Sequence, residues 1–260
     1  MRVVFAAARS SPGVTTAMLA CASVWPGRVL AVEAAEDGGG LAARFGLPPE
    51  PGLTTLAAAI RHHPDPHALQ AHVQPLPGTE GRITALVGPA AVEVSQPLLL
   101  AVAGRLAALL DTAEETVLVD GGRLGPAPAA GPLIDRADRL LVVARPRVEE
   151  LHTLAQRLPA LRELGPAPEL LLVGDTPYGP DEIAATLGCP VAGVLACDPT
   201  AAEALAGTAA RGRLRRSPLL RTAASLVDQL TDTTTPAART TPDVADREPA
   251  VRWSSLARPG

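Results

Sequence analysis

Short runs rich in Val and Leu alternate along this chain with longer Ala- and Leu-rich segments of helical spacing, and that alternation limits the fold more than any other feature. A strand buried on both faces reads as an unbroken apolar run, whereas a helix lying on a sheet repeats its apolar positions three and four residues apart. Strand, helix and strand in succession make a parallel sheet covered on both sides. The spacing predicts strands over Arg2–Ala7, Arg28–Glu33, Ile83–Val87, Thr116–Val119, Arg139–Ala144, Glu169–Val173 and Val191–Leu195. Helices are expected over Thr15–Val24, Leu41–Phe45, Leu53–Arg61, Ser95–Leu110, Val148–Leu164, Pro180–Leu187 and Leu219–Leu230. The stretch from His62 to Gly81 reads as irregular, with one edge strand at His72–Leu76. The implied fold class is α/β, a doubly wound and mostly parallel sheet with helices on both faces.

Of the 260 residues, 47% are hydrophobic, enough for one domain with a substantial core over residues 1–230. From Thr231 the composition turns to Thr, Pro, Arg and Asp, with almost nothing to bury until Val251, Trp253 and Leu256. Residues 231–260 are therefore expected to form a disordered tail, with Trp253 either incidental or the anchor of a short docking motif. The chain has no Lys and no Asn, so all 23 basic residues are Arg, and every mechanism that needs a lysine is excluded. A net charge of −4 argues against a wholly basic nucleic-acid binder but leaves room for a local basic patch. Cys21, Cys189 and Cys197 are too few and too scattered for a disulfide framework or a C-x-x-C knuckle, which points to a reducing cytoplasm. Met18-Leu19-Ala20-Cys21 resembles a lipoprotein cleavage box, but Arg9 and Ser10-Ser11-Pro12-Gly13 interrupt the apolar run that such a signal needs. Apolar stretches elsewhere are expected to stop short of the roughly 20 residues that cross a bilayer.

The first strand leads into Ala8-Arg9-Ser10-Ser11-Pro12-Gly13-Val14-Thr15-Thr16 and at once into a helix. A tight loop of small residues between a strand and a helix N-terminus brings free backbone N–H groups and the helix dipole together, which suits an anion. This segment resembles the loop of the ParA/MinD family of deviant Walker ATPases, which reads K-G-G-x-G-K-T-T. Laid along it, the family's first lysine falls on Arg9, its glycines on Ser10, Ser11 and Gly13, its second lysine on Val14 and its magnesium-binding threonine on Thr15. The resemblance extends over roughly residues 1–230. Val117-Leu118-Val119-Asp120 resembles the Walker B strand, Ala35 stands where the family carries the Asp that orients the attacking water, and Glu33, Glu36 and Asp37 lie nearby out of register. Leu171-Leu172-Val173-Gly174-Asp175 ends where the family often has an Asn for adenine. Without that resemblance the loop reads as a tight turn and Asp120 as the cap of the next loop. A Rossmann reading is weaker, because no G-x-G-x-x-G follows the first strand.

The resemblance implies a P-loop NTPase-like fold and a site for ATP and Mg2+. Phosphate would meet Arg9, Ser11, Gly13, Val14, Thr15 and Thr16, and the metal would meet Thr15 and Asp120. With the lysine gone, hydrolysis is expected to be slow or absent, as in a pseudo-ATPase. The function implied is positional or regulatory: chromosome partitioning, division-site placement or secretion-machine placement, with a protein partner and a nucleotide-clamped homodimer. Two other readings stand beside it, an active ATPase that uses Arg9 for the missing lysine, and a protein-interaction module without nucleotide.

His62, His63, His67 and His72 crowd beside Asp65, but Pro64 and Pro66 break the helix that would align a metal pair, so a solvated loop is expected. Arg211, Arg213, Arg215, Arg216 and Arg221 form the one dense basic run. It is either a solvated connector or a weak contact to DNA or anionic membrane through Arg211, Arg213, Arg215 and Arg216. No aromatic side chain interleaves with it, so base stacking is not expected.

Overall fold

Alternate side chains of one strand must point to opposite faces of a sheet, and in β1 (Arg2–Ala7) both sets are apolar after Arg2. Val4 and Ala6 enter one core while Val3, Phe5 and Ala7 enter the other, so the strand can only be central. The computed structural model describes residues 1–9, 13–61, 67–175, 178–205, 214 and 216–232. Among them β1 sits inside an eight-stranded sheet with β2 (Val29–Glu33), β3 (Gln74–Pro75), β4 (Ile83–Leu86), β5 (Thr116–Arg123), β6 (Arg139–Ala144), β7 (Pro168–Val173) and β8 (Val191–Leu195). Their order is β3-β4-β2-β5-β1-β6-β7-β8, and every neighbouring pair is parallel except β3 with β4. This is the P-loop NTPase-like α/β fold, with β1 between β5 and β6 and the sequence order reversing around it.

The helices that link the strands divide between the two faces. One core packs α3 (Leu53–Ile60), α5 (Val92–Leu110), α7 (Val148–Arg162) and α8 (Pro180–Leu187) against the sheet; the other packs α1 (Val14–Val24) and the last helix. Short helices α2 (Leu41–Phe45), α4 (Ala68–His72), α6 (Gly131–Asp135) and α9 (Pro199–Leu205) turn the chain between them, and α10 (Pro218–Thr231) closes the described part. Ser217 caps α10, its hydroxyl accepting from the Leu220 N–H, and Pro218 takes the first helical position, where a missing N–H costs nothing. Leu219, Leu220, Ala223, Leu226, Val227 and Leu230 form the buried stripe that the spacing predicts.

Several expectations are corrected. β5 does not stop at Val119 but runs to Arg123, because Asp120 still pairs in register with Phe5 of β1 and Glu33 of β2. The edge strand near His72 is only Gln74–Pro75, and residues Ala68–His72 are helical. α5 begins at Val92 rather than Ser95; the carbonyl that Pro97 leaves without its helical donor belongs to exposed Glu93, in the solvated first turn. At 19 residues, α5 is by length and composition long and apolar enough to cross a membrane. It instead lies along the sheet with Leu99, Val102, Leu106 and Leu110 in the core. α6 and α9 are short helices that the apolar spacing did not reveal.

Candidate functional site

Strands of a parallel sheet deliver their loops to one edge, so the segments after β1, β2 and β5 meet at the C-terminal ends of the strands, where doubly wound folds bind ligands. After β1 the backbone turns through Gly13, whose φ of 103° is a left-handed conformation that a glycine adopts without strain. α1 starts at the next residue, and the N–H of Ala17 donates to the Gly13 carbonyl. The Thr15 hydroxyl, in the first turn, donates to Asp120 Oδ2 at 2.5 Å, while the Gly122 N–H donates to Oδ1 at 2.9 Å. Thr15 and Asp120, 105 residues apart, are thus brought together as the sequence resemblance implies. Asp120 is only 2% exposed, and burial pushes its carboxyl above the usual range, opposed by the hydrogen bonds from Thr15 and Gly122 and by the charge of Arg44. One hydroxyl and one carboxylate, both hard oxygen donors, suit a magnesium ion.

The other candidates separate. Val14, at the position of the family's second lysine, is 7% exposed and packs into the core on the α1 face, so it brings no charge to the loop. Thr16 is half-buried on the same turn. Arg9 points to α7, its guanidinium donating to Thr153 Oγ1 at 3.0 Å. Ser10, Ser11 and Pro12 lie outside the described residues.

Beyond β2, Ala35 is nearly buried, and its carbonyl accepts from the Ser95 hydroxyl, so no side chain there reaches for water. The nearby carboxylates are engaged elsewhere. Glu36 accepts from the Ala129 N–H at 2.9 Å, and Asp37 pairs with Arg123 at 3.6 Å. Asp175 is exposed just past β7.

Glu33 plays a part that the sequence did not disclose. Its Oε1 accepts the N–H groups of Gly40 and Leu41, and its Oε2 accepts that of Gly88. One buried carboxylate therefore ties the end of β2 to the start of α2 and to the loop after β4. Gly39 is required there, since a Cβ on it would collide with the Glu33 carboxylate. The signal was present: an ionisable residue closing an apolar run, as Asp120 closes Val117-Leu118-Val119.

Of the clustered histidines, His62 and His63 lie with Asp65 outside the described residues, and His72 meets the Thr55 hydroxyl at 2.8 Å through Nδ1. Among the described residues no group of three His, Cys, Asp or Glu is placed to hold a metal. Cys21, in the sequence resembling a lipoprotein box, is fully buried in α1, and burial pushes its thiol up to about 12. Of the basic run, Arg216 and Arg221 are described and exposed; Arg211, Arg213 and Arg215 lie outside the described residues.

No family model matches the sequence, and no curated protein matches it. Solved structures do match. A ParA family ATPase from Chlorobium tepidum TLS aligns with a TM-score of 0.71 at 19% identity, over 88% of this chain and 98% of that one. The septum site-determining protein MinD from Pyrococcus horikoshii OT3, in complex with Mg-ADP, gives 0.67 at 16% identity, over 92% of this chain and 100% of its own. MinD in the MinC:MinD cell division complex of Aquifex aeolicus gives 0.67 at 13% identity, over 92% and 98%. The structures that this chain is similar to are ParA/MinD family ATPases, and the chain has their fold.

Proposed function

We propose that this chain is a ParA/MinD-like positioning or regulatory protein that binds ATP or ADP with Mg2+ and hydrolyses ATP slowly or not at all. The observation that carries the reading is the hydrogen bond from Thr15 to buried Asp120, placed beside the left-handed Gly13 turn at the start of α1. Phosphate would meet the backbone N–H groups of Gly13, Val14, Thr15 and Thr16 at a helix N-terminus. Magnesium would be held by the Thr15 hydroxyl and the Asp120 carboxylate. When bound, the ion offsets the negative charge of the phosphates.

Weak turnover is inferred from what surrounds that pair. Val14 is apolar and buried, Ala35 has no carboxylate, and Arg9 hydrogen-bonds to α7. Loss of a preorganised charge at a transferring phosphate costs about 3–4 kcal/mol, or a hundredfold to a thousandfold in rate. The engagement of Arg9 with Thr153 weighs against an active enzyme that uses Arg9 as its lysine.

Positioning work is supported by the fold shared with ParA and with the MinD of the MinC:MinD complex, and it calls for a protein partner and a homodimer. A weak contact to DNA or anionic membrane through Arg211, Arg213, Arg215 and Arg216 would add a surface to move along. Titration of ATP with and without Mg2+, together with phosphate release, tests the core of the reading. Magnesium-dependent binding with little release is expected; rapid release, or no binding, overturns it.

A further inference from the structure

We propose that Arg44 helps to bind the distal phosphates of the nucleotide from the α2 side, a cationic contact for binding that leaves the lysine position of the loop, at Val14, without charge. This assignment rests on the reading of the Gly13–Thr16 turn as a nucleotide site. It starts from the clamp around Glu33. Glu33 and Asp120 are register partners on β2 and β5, and the Glu33 carboxylate holds the N–H groups of Gly40 and Leu41, so the first turn of α2 is fixed at the strand ends beside Asp120.

Arg44 lies one turn further on α2, on the same face as Gly40. Its Nε lies 3.7 Å from the point where a Cβ on Gly40 would stand, so the side chain runs back over bare backbone toward those strand ends. It thus lies on the side of the sheet edge where Glu33, the register partner of Asp120, holds Gly40 and Leu41.

Two of the other arginines on this side are engaged. Arg9 donates to Thr153, and Arg123 pairs with Asp37. Arg44 is exposed and, among the described residues, has no ion-pair partner within 4 Å. A buried Asp120 carboxylate next to the loop repels phosphate, and a cation offsets that repulsion only if it is near both. The guanidinium presents a planar fork to two phosphate oxygens, so it suits a diphosphate or triphosphate better than a single neutral group.

Binding of ATP, ADP and AMP with Mg2+ to the full chain, measured by calorimetry, tests the assignment in the unaltered protein and in Arg44→Ala, Arg44→Gln, Arg44→Lys and Arg9→Ala. Arg44→Gln keeps a stem over Gly40 and removes only the charge. Both neutral variants should weaken ATP about tenfold or more and AMP by no more than about twofold, because the lost contact is to the distal phosphates. Arg44→Lys should recover part of the loss, and Arg9→Ala should stay within about threefold of the unaltered protein. ATP binding unchanged in Arg44→Gln, or an equal loss for AMP and ATP, overturns the assignment while the site reading stands. Failure of the unaltered protein to bind any of the three overturns both.

Discussion

Glu33 and Asp120 stand side by side as register partners on β2 and β5, each with 2% of its surface exposed, yet their carboxylates meet different kinds of donor. Glu33 accepts only from backbone N–H groups, which cannot reverse direction; Asp120 accepts from one backbone N–H and from the rotatable Thr15 hydroxyl. A neutral amide should therefore be harmful at one position and tolerated at the other.

Glu33→Gln turns one acceptor oxygen into an NH2 group that must face the N–H of Gly88 or those of Gly40 and Leu41. A buried donor left facing a donor costs about 1–3 kcal/mol. Thermal unfolding should show a clear fall in Tm, together with faster amide exchange at Gly40 and Gly88. An unchanged Tm would mean that the carboxylate does not bind the three segments together.

Asp120→Asn should instead keep or raise Tm while abolishing the Mg2+ dependence of nucleotide binding. The Asn oxygen still accepts from Gly122, and its NH2 donates to a Thr15 hydroxyl that has turned round. The pH dependence fixes the sign. Burial holds the Asp120 carboxyl above its ordinary range, so between the unfolded and the native values the native chain binds more protons. Stability from this source is fully present below the unfolded value and is lost as pH rises through the native one. The Tm advantage of Asp120→Asn, about 2–4 °C per kcal/mol relieved in a domain of this size, should thus be greatest near neutral pH and close as the pH falls toward about 4. An advantage that widens on acidification would contradict this.

Val14→Lys separates a phosphate cradle from a mere turn. Val14 is buried against the α1 face, so the variant should lose stability, while an ammonium that emerges at the loop should tighten Mg-ATP about tenfold. Titration at matched temperature reads the second effect apart from the first. Affinity that does not move would mean that the turn no longer approaches phosphate.

Most of the sheet was legible from the sequence because β1, β2 and β6 are short, mainly apolar runs whose only stable setting is between covered faces. The Thr15–Asp120 contact was legible as well, through motif residues in the first turn of α1 and within β5. Val14 could be read as a missing charge, but not as a core side chain. The Glu33 clamp and the direction of Arg9 were not legible, since both depend on where chain distant in sequence arrives: Gly88 lies 55 residues from Glu33, and Thr153 lies 144 from Arg9. Local spacing also missed α6 and α9, which are too short to show a helical period.

The basic run yields a prediction about salt. If Arg211, Arg213, Arg215 and Arg216 contact phosphate together, binding to duplex DNA or anionic vesicles should weaken steeply with salt, with a log–log slope of about −3 to −4 on DNA. Replacing all four by Ser should remove the binding while leaving Tm unchanged, as exposed Arg216 holds nothing in place. Binding that ignores salt, or that survives the four replacements, would assign the contact to another surface.

The last prediction concerns where the folded body ends. In α10 the last buried side chain is Leu230; past it the Thr231 hydroxyl returns to the Val227 carbonyl at 2.8 Å, and the Asp232 N–H donates to the Asp228 carbonyl at 3.0 Å. Among the described residues, these two bonds close the last turn of the helix. Between Asp232 and Val251 the sequence offers little but Thr, Pro, Ala, Arg and Asp, too little apolar surface to offset the entropy of ordering. A chain cut after Asp232 should melt at the same temperature as the full chain and give the same protease-resistant core. A chain cut before Pro218 should not fold, because it loses the stripe of Leu219, Leu220, Ala223, Leu226, Val227 and Leu230, where truncating a single buried Leu to Ala already costs about 2–5 kcal/mol. A marked drop in Tm for the longer cut would show that residues beyond Asp232 pack on the body, with Val251, Trp253 and Leu256 the side chains to test next.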